Sequence, residues 1–156
     1  MTLFVAFLVA CGSDPLTSRV VDKGDPDRQD TTPPVIQHDE VEDVITFGTD
    51  VPIEATVVDL ESRVLLVTLW FKNETDGSND WQQRAMMAGE PPMADTGEAD
   101  PCEGAVSCLT YASLIPAAQQ RSGGMTYYIE AVNTSDLVAT APDEGKSDPY
   151  HFRLTQ

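Results

Sequence analysis

The chain has 156 residues, with 9 Lys and Arg against 26 Asp and Glu, for a formal net charge of −17. That balance opposes nucleic-acid binding, whose main attraction is Lys and Arg on phosphate, and it equally opposes a polybasic hold on anionic lipid head groups. The length suits one domain with its own core.

Leu3 to Ala10 is an apolar run ending in a small residue, the kind of segment a signal peptide uses as its hydrophobic region. It is too short to cross a bilayer, which takes about 20 apolar residues. No later segment approaches that length, so no transmembrane helix is expected. Cys11 follows the run directly, while Cys102 and Cys108 stand far downstream. An odd cysteine count in an exported protein leaves one thiol to account for.

Leu8-Val9-Ala10-Cys11 resembles the lipobox of bacterial lipoproteins. The resemblance implies a diacylglyceryl group on Cys11 and cleavage that makes this cysteine the mature N-terminus. The membrane is then a partner through the anchor. Gly12, in place of the Asp associated with inner-membrane retention in that family, points to the outer membrane. No Lys or Arg precedes Leu3, so a start upstream of Met1 is expected. The alternative is an ordinary cleaved signal or a mis-called N-terminus, with Cys11 incidental. Cys102 and Cys108 remain to form a disulfide, which an export compartment favours. Closing so small a loop contributes roughly 2 kcal/mol. Zinc fits poorly, because the spacing is not Cys-x-x-Cys and neither His38 nor His151 lies nearby in sequence.

Residues 12–33 carry Pro, Gly, Asp and Thr without apolar periodicity, a composition that cannot offset its own ordering entropy. They read as an acidic tether of very roughly 25 Å between the lipid and a domain spanning 34–156. From Pro34 onward apolar residues recur at every second position: Val51, Ile53, Ala55 and Val57; Val67, Leu69 and Phe71; Tyr127, Ile129 and Ala131; Tyr150, Phe152 and Leu154. Period two means strands with one buried side. Strands are expected near 35–38, 51–58, 64–72, 81–87, 109–115, 125–132 and 149–155, with at most a helical turn at 117–121. About seven antiparallel strands in this length predict an all-β, two-sheet sandwich.

The strand pattern, with Ile115-Pro116 ahead of Tyr127-x-Ile129-x-Ala131 and a closing Pro149-Tyr-x-Phe, resembles the fibronectin type III-like, immunoglobulin-fold modules of bacterial envelope proteins. The resemblance implies an immunoglobulin-like β-sandwich. It also implies that Tyr127 is a corner tyrosine whose hydroxyl bonds to the connection before it. Such modules have a short link where this chain carries a long one, at about 88–108. Its prolines, glycines and acids argue against a continued strand.

No catalytic constellation emerges. His38 and His151 read as surface strand residues, and there is no nucleophile elbow, phosphate-cradling loop or His-Glu-x-x-His. No enzyme and no cofactor are expected. Residues 73–80 offer Asp76 and Asp80 as weak calcium ligands, but the spacing misses the EF-hand template and suits an ordinary hairpin turn. Asn73-Glu-Thr75 and Asn133-Thr-Ser135 match a glycosylation sequon that carries no weight in a bacterial lipoprotein.

The aromatics offer more. If Val67, Leu69 and Phe71 face the core, Trp70 faces out; by the same rule so do Tyr128, His151 and Arg153. These four are the candidate binding face, unless the long insertion folds over Trp70. Trp81 reads instead as a core anchor. Two functions are expected from this pattern. One is a non-catalytic, lipid-anchored envelope protein presenting its domain to a protein partner or serving as a structural module. The other is a carbohydrate-binding module stacking sugar rings on Trp70 and Tyr128.

Overall fold

The computed structural model describes residues 30–75, 80–92 and 100–156. Among these residues lie ten strands: β1 (Val35–Gln37), β2 (Val44–Thr46), β3 (Val51–Asp59), β4 (Val64–Asn73), β5 (Gln82–Ala85), β6 (Met87–Ala88), β7 (Ser107–Ile115), β8 (Gly124–Asn133), β9 (Val138–Ala141) and β10 (Tyr150–Thr155). They form a four-stranded sheet, β1-β3-β7-β6, and a six-stranded sheet, β2-β10-β8-β4-β5, with β9 also on β8. Every pairing is antiparallel except β2 with β10. The order matches the A-B-E-D and G-F-C sheets of an immunoglobulin-like sandwich.

Each expected strand is present, and the added ones arise where the chain changes sheet. β1 pairs with β3, then residues 38–43 cross over and β2 joins β10 on the other layer. The strand expected at 81–87 breaks at Met86. That side chain is 5 % exposed, and its N–H bonds to the Val67 carbonyl at 2.9 Å. β5 before it lies on β4, and β6 after it lies on β7. The closing edge is split as well: β9 pairs with residues 129–132 of β8 and β10 with residues 124–127.

The core is what the alternation dictates. Val51, Ile53, Ala55 and Val57 of β3 meet Val67, Leu69 and Phe71 of β4, Met125, Tyr127, Ile129 and Ala131 of β8, and Phe152 of β10. Fully burying each large apolar side chain contributes about 1.5–3 kcal/mol. Pro52 sits inside β3 without cost, because β1 covers β3 only from Thr56 to Val58, so no ladder partner needs an N–H at residue 52.

The long insertion begins as a strand after all. β6 pairs with β7, and bonds from the Gly89 N–H to the Thr110 carbonyl (2.7 Å) and from the Thr110 N–H to the Glu90 carbonyl (3.1 Å) extend the ladder. At its far end Cys102 and Cys108 form a disulfide with Cα atoms 5.4 Å apart. Cys108 lies in β7 opposite Val58. Val58 faces away from the core yet is only 6 % exposed.

One end of the sandwich is closed by polar groups. Asn133, the last residue of β8, points inward and is wholly buried. Its Nδ2 donates to Asp30 Oδ2 at 2.7 Å and to Asp59 Oδ2 at 3.0 Å, while its Oδ1 accepts from the Ser135 and Leu137 N–H groups. Asp59 Oδ1 accepts the Glu61 and Ser62 N–H groups at 2.9 and 2.7 Å. Glu61 in turn accepts from the Thr31 N–H and the Thr32 hydroxyl, and these donors hold its carboxyl below the ordinary value. Asp30, inside the segment expected to be tether, therefore belongs to the packed body, because its carboxylate meets a buried amide. The remainder of that tether and Cys11 lie outside the described residues.

Asn133→Ala removes both donors and leaves two enclosed carboxylates facing each other. Urea denaturation should show a loss of about 3 kcal/mol, and Asn133→Asp should cost more, since it adds a third acid.

Candidate functional site

The outer side of the six-stranded sheet carries the chain's aromatic surface. Alternation places Thr68, Trp70 and Lys72 of β4 there, with Thr126, Tyr128 and Glu130 of β8 and His151 and Arg153 of β10. Register sets Trp70 beside Tyr128, Lys72 beside Thr126, Thr126 beside His151, and Gly124 beside Arg153. All four residues expected on this face are on it, but they are not equally open. His151 and Arg153 are exposed, Trp70 is half-buried, and Tyr128 is only 7 % exposed.

Tyr128 is covered by its neighbours. The Trp70 and Tyr128 rings stack with centroids 6.0 Å apart and planes 6° from parallel. Trp81 meets Tyr128 edge-on at 4.9 Å. The Lys72 ammonium lies 4.9 Å from the Trp81 ring centroid, a cation–π contact. Burial, with the Glu130 carboxylate adding to it, raises the Tyr128 hydroxyl above its ordinary value, so the group stays neutral. Tyr128 thus serves as the centre of a cluster whose rim is Trp70 and Trp81. The indole nitrogens of both tryptophans and the Thr126 hydroxyl are enclosed without a hydrogen-bond partner among the described residues.

Trp81 corrects the sequence reading. It is not a core anchor, because it stands one step before the Gln82–Phe71 pair and therefore opposite Lys72, on the outer side. The signal was available as parity. Met86 is a core residue five positions on, and an odd step along one strand reverses the side. The described part of the insertion joins the opposite sheet through β6, so there it does not fold over Trp70.

Tyr127 departs from its expected role too. Its hydroxyl does not reach the connection before β8. It meets His38 Nε2 at 2.9 Å and the Val41 N–H at 3.2 Å, both in the crossover between β1 and β2. Burial pushes this hydroxyl far above its ordinary range. His38, expected on the surface, is half-buried, with its Nδ1 2.6 Å from the Glu54 carbonyl and its ring 5.2 Å from that of Tyr150. Its ring meets inward-facing tyrosines, whereas His151 lies on the outer side of the same sheet.

Asp80 is exposed, and Asp76 lies outside the described residues. Among the described residues no group of three or more His, Cys, Asp or Glu is placed to hold a metal ion. Among them, too, no helix is long and apolar enough to cross a membrane. No protein-family model matches the chain, and no curated protein is significantly similar to it.

The stack and the core differ in energetic role. Trp70→Ala should lower stability by about 1 kcal/mol for the lost ring pair, whereas Phe71→Ala, one residue on and wholly buried, should cost about 3–5 kcal/mol. Paired urea titrations of the two variants check the assignment of sides.

Proposed function

We propose that this chain is a non-catalytic envelope lipoprotein, anchored through Cys11, whose immunoglobulin-like domain binds a protein partner through the outer side of the six-stranded sheet. The observation that carries the reading is the Trp70–Tyr128–Trp81 cluster, with Lys72, His151 and Arg153 around it. Aromatic side chains and Arg are the residue types that dominate interface energetics. Here Tyr128 pre-sets the two tryptophans, so little side-chain entropy is lost when a partner covers them. The same stacking weighs against the glycan alternative. A sugar needs an open ring face, and Tyr128 is enclosed while one side of Trp70 already rests on it.

Two measurements test the proposal. In a bacterial host, labelled palmitate should mark the wild-type chain and miss Cys11→Ala; a labelled variant would remove the anchor. A Trp70→Ala, Trp81→Ala double variant should keep its fold by circular dichroism. It should bind the partner recovered from envelope extracts at least about tenfold more weakly. Undiminished binding would move the site elsewhere, and saturable quenching of tryptophan fluorescence by a polysaccharide would favour the glycan reading.

A further inference from the structure

We infer that His38 is an acid-sensitive pin for the crossover that carries the chain from β1 to β2. The hydrogen bonds around it run in one direction. The Glu54 carbonyl can only accept, so Nδ1, 2.6 Å away, carries the ring proton. In the neutral imidazole Nε2 is then an acceptor, and the Tyr127 hydroxyl donates to it at 2.9 Å. The oxygen of that hydroxyl accepts the Val41 N–H at 3.2 Å. Val41, Tyr127, His38 and Glu54 thus form one chain in which each of these groups has a partner. Its links join the crossover to β8 in one sheet and to β3 in the other.

A proton on Nε2 breaks this order. The nitrogen becomes a donor aimed at a hydroxyl that was donating to it. The Tyr127 proton is left without an acceptor on a residue that is 0 % exposed. Histidine is the side chain whose ordinary titration falls between about pH 5 and 8. Asp39 and Glu54 line the same groove as His38, a cleft of about 560 Å³ also bounded by Gln37 and Thr56. Glu40 acts on both Tyr127 and Tyr150, the titratable groups that face the ring from β8 and β10. On acidification the ring turns toward these acids and residues 38–43 loosen, followed by β2, which is held by three residues on β10.

Hydrogen exchange on the full chain reads this out. Between pH 7.5 and 5, the Val41 amide, corrected for its intrinsic rate, should lose protection roughly tenfold, the cost of one orphaned buried donor. The loss should track the shift of the His38 ring protons, with Ile129 unchanged. In His38→Gln, which keeps a hydrogen-bonding side chain but does not titrate in this window, the step should vanish. Constant Val41 protection while His38 titrates, or a step of equal size in His38→Gln, would overturn the inference.

Discussion

Burial of one side of β8 is the constraint from which the other arrangements follow. Met125, Tyr127, Ile129, Ala131 and Asn133 are each 0 % exposed. The strand is paired by β4 on one edge and by β10 and β9 in turn on the other. Because side chains alternate, fixing these inward residues also fixes Thr126, Tyr128 and Glu130 outward. A slip of one residue would put the Tyr127 hydroxyl and the Asn133 amide in water and drive Tyr128 into the core. That cost pins the register. The inner pins and the outer aromatic cluster are thus two sides of one strand.

What the sequence disclosed was periodicity, and periodicity is a local property. The runs at Val51, Val67, Tyr127 and Tyr150 show their sides without knowledge of their neighbours, and Trp70 and Tyr128 could be placed on a common face for that reason. Partnership is not local. Nothing near Asn133 in the chain marks it as the amide for Asp30, 103 positions earlier; its surroundings read as a sequon. His38 and Tyr127 are 89 apart, and their contact exists only because residues 38–43 change layers. Trp81 lay between these cases. Its side was fixed by parity with Met86, but its place beside Tyr128 came from the pairing of β5 with β4.

The polar groups held inside the body work as positional locks. Removing an apolar contact costs in proportion to area, and many apolar residues of similar volume would serve. The Asn133 amide discriminates, because its two donors require two acceptors at set directions, and an enclosed carboxylate without a donor is heavily penalised. Asp30 and Asp59 meet that requirement together. This joins the entry segment, the turn after β3 and the end of β8 at a point where the strands are too near their ends to fill a core. Among the described residues Asp30 and Asp59 are the buried acids, and each is drawn inward where such a donor awaits it.

The position of that lock bears on how the proposed anchor and the proposed binding face share one small domain. Asp30 is held at the Asn133 end of β8. Tyr128 stands five residues back along the same strand, roughly 17 Å away at about 3.4 Å per residue. Asn133 links Asp30 to Asp59, and Thr31 and Thr32 bond to Glu61, so this lock holds the ends of β3 and β8. Asp30 and the tryptophan rim thus lie at different levels along β8, and the rim faces the outer side of the sheet.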